Sequence, residues 1–155
     1  MDRADIAILE ALQSDSRLTV IEIGEKVGLS SSACHRRMQG LEKAGVIDGY
    51  AAILNPEKLG LGVHAFIEIT LTNQSRKSMD QFETAVVDLE DILECHLMSG
   101  EADYLLTVAA INLEDFDDIH RNYLSGLPGV SSMTTKFLIR RIKDWAGYPV
   151  RRLSA

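Results

Sequence analysis

At 155 residues, 46% hydrophobic and 25% charged, the chain has the balance of one ordinary globular domain or two small ones, which argues against wholesale disorder. No apolar run approaches the roughly 20 residues that a membrane span needs, and the start, MDRADIAILEALQSD, lacks the basic opening and small-residue cleavage site of a signal peptide. The formal net charge of -7 argues against general attraction to polyanions, but it is uneven, because residues 30–43 set Arg36, Arg37 and Lys43 against Glu42 alone.

Residues 2–14 read as a helix, with Ile6, Ile8, Leu9 and Leu12 along one side and Asp2 placed to cap it. Thr19 and Glu22 make the Thr-x-x-Glu pattern of a capping box, in which two orphan amides are satisfied reciprocally. The helix they open turns Ile23 and Val27 inward. Gly28 is placed to end it in the left-handed conformation that suits glycine. Ser30 is the next good cap, and from it a third helix runs to about Ala44, with Cys34, Met38 and Leu41 at i, i+4 and i+7. Helix, glycine-containing turn and helix is the spacing of a helix-turn-helix. A generic three-helix bundle has the same outline.

The third helix is informative on its outer side. At about 100° per residue, Ser32, Arg36, Gln39, Gly40 and Lys43 lie opposite the apolar positions, with His35 and Arg37 on the flanks. A solvated structural helix usually interleaves Glu with Lys, whereas this face has no acidic residue before Glu42. Arg can bond the edge of guanine and Gln that of adenine in a major groove. Arg37 and the backbone near Ser31 and Ser32, at the positive helix end, suit phosphate. The expected DNA-contacting set is Ser31, Ser32, His35, Arg36, Arg37, Gln39 and Lys43.

Val46, Ile47, Tyr50, Ala52 and Leu54 suggest one or two short strands broken at Asp48-Gly49, and the turn signals Asn55-Pro56 and Gly60-Leu61-Gly62 mark a boundary. The predicted division is a DNA-binding domain over 1–54, a linker over 55–62 and a second domain over 63–155. In that second domain the elements alternate. VHAFIEITL (63–71) is a strand; Ser78 to Gln81 is a second capping-box pattern opening a helix to about Leu89. ILECHLMS (92–99) and YLLTVAAI (104–111) are strands, Asn112 caps a helix, and residues 131–143 form the last strand. The order β-α-β-β-α-β is the ferredoxin-like unit, an α+β fold. Its sheet keeps apolar groups on the face away from the helices, and a second copy around a two-fold axis is the simplest cover.

Cys34 and Cys95 are far apart and have no paired spacing, so neither a disulfide framework nor a zinc site is expected and a reducing cytoplasm fits. His96 has no third group placed by spacing to make a catalytic set. Cys95 and His96, adjacent on a strand, point to opposite faces and cannot share a metal. Small oxygenases and isomerases also use ferredoxin-like dimers, but they have no need of the N-terminal unit.

In combination VGLS, GVIDGY, LNP, SGEADYLL and LPGV cover the chain in order, and by them it resembles the Lrp/AsnC, or feast/famine, family of leucine- and asparagine-responsive transcription regulators. The resemblance implies a winged-type helix-turn-helix followed by a ferredoxin-like amino-acid-sensing domain, with no enzymatic activity, metal or cofactor. It implies homodimers joined through the C-terminal sheets, assembled further into tetramers or octamers, and double-stranded DNA as the target. It places the effector near the loop between the second and third strands, at Leu97, Met98, Ser99, Gly100, Asp103 and Tyr104, with Thr134, Thr135 and Lys136 of the last strand as the other wall. On this reading Asp103 pairs with the effector's ammonium group and Gly100 lets its carboxylate reach backbone amides. The chain departs from the family's common pattern at Gln39 and Gly40, where further basic residues are frequent, and at Lys136, where an apolar residue is frequent.

Overall fold

The computed structural model describes residues 1–153. They form two compact units, one made of Met1–Ile53 with the chain from Lys143 onward, the other of Leu54–Ile142.

The first unit is built on three helices. α1 (Arg3–Ser14) starts at Asp2, whose carboxylate accepts the Ala4 and Asp5 N–H groups while Asp5 accepts the N–H of Asp2. α2 (Val20–Val27) carries the predicted Thr19–Glu22 box: the Glu22 carboxylate accepts the Thr19 N–H at 2.7 Å, and the Thr19 hydroxyl accepts the Glu22 N–H at 3.3 Å. α3 (Ser31–Lys43) is capped by Ser30. Ile8, Leu9, Leu12, Ile23, Cys34 and Leu41 form the buried core. Each fully buried Ile or Leu there contributes roughly 1.5–3 kcal/mol.

The strands expected in residues 46–54 do not form. The Val46 and Ile47 N–H groups, which a strand would use for pairing, are spent on the Leu41 carbonyl at the end of α3. Tyr50, Ile53 and Leu54 are exposed, and a two-stranded ribbon with no surface to cover it is marginal in water.

The second unit has the β-α-β-β-α-β order: β1 (Val63–Leu71), α4 (Arg76–Val87), β2 (Ile92–Leu97), β3 (Tyr104–Ala110), α5 (Leu113–Asn122) and β4 (Val130–Phe137). The strands lie in the order β2-β3-β1-β4, all antiparallel to their neighbours. Period-2 alternation sends Ala65, Ile67, Ile69 and Leu71 of β1, and Tyr104, Leu106, Val108 and Ala110 of β3, to one face. There they bury Phe82 and Val86 of α4 and Phe116 and Ile119 of α5. The opposite face carries His64, Phe66, Glu68 and Thr70, flanked by Leu105 and Thr107 on β3 and Thr134 and Lys136 on β4. Phe66 is exposed there, while the His64 Nε2 is buried without a hydrogen-bond partner among the described residues.

Three expectations need revision. α4 begins at Arg76 and is capped by Ser75, whose hydroxyl accepts the Ser78 N–H at 3.3 Å, so Ser78 lies inside the helix. β4 ends at Phe137 instead of continuing to residue 143, because Phe137 already pairs with Ala65 and β1 has only two residues left beyond it. The division at residues 55–62 also changes at the other end of the chain. The linker belongs with the second unit, where the Gly62 N–H reaches the Ile111 carbonyl at 3.3 Å, and residues from Lys143 onward return to the first.

Candidate nucleic-acid interface and effector site

The turn between α2 and α3 is tight for a definable reason. The Leu29 N–H donates to the Gly24 carbonyl at 2.8 Å, and a Cβ on Gly24 would stand 2.9 Å from the Leu29 oxygen. Only glycine lets the two segments approach so closely. Gly28 sits at φ +72°, the left-handed position read from the sequence. Ile23 and Cys34 are both fully buried and lock the second helix onto the third. Burial also raises the Cys34 thiol pKa, so this cysteine is an inert core group.

This packing leaves the other side of α3 open. Ser31, Ser32, His35, Arg36, Gln39 and Lys43 are all exposed. Among the described residues, the side chains of Arg36, Gln39 and Lys43 have no hydrogen-bond or ion-pair partner. The face therefore presents two cations and an amide that no other described residue claims. Gly40 stands on it with open space where its Cβ would be, so no internal contact requires a glycine there. His35 and Gln39 also edge an open cleft of about 360 Å3 floored by Leu12, Leu18 and Met38, with Tyr50 donating to Glu42 at 3.0 Å on its rim.

Arg37 does not belong to the open face. Its Nη1 lies 2.8 Å from the Asp2 carboxylate and 2.8 Å from that of Asp5, so it anchors α3 to the first turn of α1. The two carboxylates, Asp5 foremost, raise its pKa further. To take the phosphate role expected from its position on the helix, Arg37 would have to leave these two carboxylates. Nothing in the helical wheel of α3 reveals this, because both partners lie more than thirty residues away in sequence.

In the second unit the expected site residues have divergent surroundings. Asp103 is buried, and both carboxylate oxygens are occupied: Oδ2 accepts the Leu71 N–H at 2.7 Å and Oδ1 accepts the Gln74 amide at 2.6 Å. Its backbone bonds to Met98 and Ile69 as well. Asp103 thereby ties the β2–β3 loop to the segment between β1 and α4, and pairing with an ammonium group would require it to share or release these donors. Tyr104 points into the core, with its ring 4.5 Å from that of Phe82 and its hydroxyl donating to Glu83 at 2.7 Å. Desolvation and, after it, the Glu83 carboxylate push its pKa up.

Leu97, Met98, Ser99 and Gly100 are exposed, with Gly100 at φ +134° and open space where a Cβ would be. Thr134, Thr135 and Lys136 lie on β4, at the opposite edge of the sheet from β2. Thr135 pairs with Ile67 and so faces the helix side, while Thr134 and Lys136 face away, Lys136 in an ion pair with Glu68. One copy of the unit therefore does not bring the two expected walls together. Among the described residues, no group of three His, Cys, Asp or Glu is arranged to hold a metal ion, and no helix is long and apolar enough to cross a membrane.

With these geometries in hand, comparison with known proteins is specific. Residues 1–48 match the family described as winged helix-turn-helix DNA-binding, and residues 64–147 match the Lrp/AsnC ligand binding domain. The chain is 40% identical over 144 residues to the leucine-responsive regulatory protein of Escherichia coli, covering 93% of this chain and 88% of that protein. It is 36% identical over 144 residues to the proline dehydrogenase transcriptional activator of Rhizobium radiobacter, covering 93% and 92%. Among solved structures, a transcriptional regulator from Neisseria meningitidis in complex with L-Met superposes with a TM-score of 0.92 at 35% identity, with 99% of each chain covered.

Proposed function

The chain belongs to the Lrp/AsnC family of transcriptional regulators, and from that premise we propose that it docks the open face of α3 in the major groove of double-stranded DNA and responds to an amino acid held by the Leu54–Ile142 unit. The observation that carries the DNA half is the open face of α3, where Arg36, Gln39 and Lys43 are exposed and, among the described residues, unpartnered. Arg36 and Gln39 read base edges. Lys43 and the N–H groups at Ser31 and Ser32 contact phosphate.

The effector half rests on the matched ligand-binding domain and on the separation of its two walls. Exposed Leu97, Met98, Ser99 and Gly100 line one side. Thr134 and Lys136 meet them only from another copy, so the site completes at a contact between subunits. The sheet face bearing Phe66 and Leu105 is the surface for a second chain, and dimers join into tetramers or octamers. The amino acid then changes how dimers associate, and with that the spacing at which paired α3 helices meet successive turns of the duplex. The regulator works in the cytoplasm.

Gel shifts on the gene's own upstream region at several salt concentrations test the first half. Affinity falls steeply with salt if cations replace counterions on phosphate; absent or salt-independent binding overturns it. A melting screen against the twenty amino acids, L-Met and L-Leu included, tests the second, because a ligand of the folded state raises Tm. A flat screen overturns it.

A further inference from the structure

The described chain ends by returning to the helix-turn-helix unit, and it does so through built contacts. Beyond β4, the Leu138 N–H still donates to the His64 carbonyl at 2.8 Å; ten residues later the backbone is gripped by α1. The Gln13 side-chain amide pairs with Tyr148 in both directions. Its Nε2 donates to the Tyr148 carbonyl at 3.0 Å, and its Oε1 accepts the Tyr148 N–H at 2.6 Å. One side chain thus supplies the donor and acceptor that a neighbouring strand would supply.

Two further contacts flank this clamp. Val150 packs against the buried core of the three helices, and Arg151 forms an ion pair with Glu10. Gly147, at φ +85°, lies so close to Gln13 that a Cβ would run into its amide group. The clamp therefore combines polar pairing, apolar burial and a glycine-dependent approach, all on one side of α1.

Asp2 caps α1 and Asp5 lies in its first turn, and the two hold Arg37 of α3. A continuous series of contacts runs from Tyr148 through Gln13 and α1 to Arg37 and the exposed face of α3. The chain reaches it from β4 through residues 138–144. We propose that residues 145–152 form a strap that positions the DNA-reading helix through α1, with Gln13 and Val150 as its positioning residues. DNA affinity thereby depends on a segment of the chain outside the open face of α3. The proposal rests on the DNA-binding reading for one of its two readouts only.

The test uses the full chain and the variants Gln13→Ala, Gln13→Glu and Val150→Ala. Hydrogen exchange is followed in α1, α3 and residues 148–153, with α4 and α5 as internal controls of folding. Gln13→Ala and Val150→Ala speed exchange in both α1 and α3, for Gln13→Ala by at least about five-fold, the worth of one of the two hydrogen bonds lost, and leave α4 and α5 protected. Affinity for the upstream duplex falls by a similar factor. The slope of affinity against salt stays as it was, since no phosphate contact has been removed. Gln13→Glu keeps the acceptor for the Tyr148 N–H but loses the donor, and its values fall between wild type and Gln13→Ala. Faster exchange confined to residues 148–153, with α3 protected as in wild type, overturns the strap. So does unchanged DNA affinity in Gln13→Ala. If the wild-type chain binds no duplex at any salt, the DNA-binding reading fails and exchange in α3 alone decides the strap.

Discussion

Arg37 of α3 and Asp5 of α1 meet at 2.8 Å, with Asp2 at the same distance from the same nitrogen. A cation in the middle of α3 is thereby paired within the chain and made part of the scaffold. It differs in this from its neighbour Arg36, which is exposed and without a partner among the described residues.

Substituting the two arginines separates these roles. Arg37→Ala lowers Tm and weakens binding to every sequence, while the salt slope remains that of wild type. Arg36→Ala leaves Tm nearly unchanged and relaxes base preference at one position. Melting curves and gel shifts on operator variants at three salt concentrations check both. A salt slope reduced by about 1 in Arg37→Ala would mean that this residue leaves its carboxylates to bind phosphate.

Acid acts on the helix caps. The Asp5 N–H and then the Arg37 guanidinium hold the Asp2 carboxyl below its ordinary value. The Thr19 N–H and hydroxyl do the same for Glu22. Both groups bind protons less readily folded than unfolded, so their contribution is complete above the unfolded values of 3.8 and 4.5 and is lost as pH falls through the lowered folded values. Tm of the helical unit therefore declines below about pH 4.5. In Asp2→Asn and Glu22→Gln that decline is shallower and starts from a lower plateau, which a melting series from pH 7 to pH 2.5 measures.

Two glycines of the helical unit respond oppositely to alanine. At Gly24 the added methyl meets the Leu29 carbonyl oxygen at 2.9 Å and forces the turn apart, at a cost of about 1–3 kcal/mol. At Gly40 it meets nothing, and the helix gains about 1 kcal/mol in stability. Gly40→Ala nevertheless weakens DNA binding, because the methyl stands on the face offered to the groove. A more stable variant with undiminished affinity would place Gly40 outside the contact.

Removing the Asp103 carboxylate leaves the buried Leu71 N–H and the Gln74 amide without acceptors. Asp103→Ala accordingly loses about 2 kcal/mol in the absence of any amino acid, and Asp103→Asn loses less because one oxygen remains. Denaturant melts of the ligand-free chain check this. If Asp103→Ala matched wild type without ligand and differed only in its Tm rise with an amino acid, Asp103 would be an effector contact instead.

Much of this molecule is legible in local sequence. The Thr19–Glu22 box, the left-handed Gly28, the Ser30 cap and the Asn112 cap each act within four residues, and the structure has them where the sequence places them. The alternation in β1 and β3 likewise sorts one face of the sheet from the other. The errors arise where a nearer competitor takes the group. Ser75 caps α4 three residues ahead of Ser78, and the amides expected in short strands after α3 go to Leu41.

The sequence by itself therefore determined most of the helices, the β-α-β-β-α-β order and the chemistry of the open face of α3, because hydrogen-bond caps and hydrophobic period are short-range properties, and its motifs carried the family resemblance. Only the tertiary structure decided which polar side chains remain available. Arg37 goes to Asp2 and Asp5, Asp103 to Leu71 and Gln74, and Tyr104 to Glu83. Gln13 goes to Tyr148, which stands 135 positions away. An ion or amide pairs with whatever the fold brings within about 3 Å, and sequence distance carries no information about that.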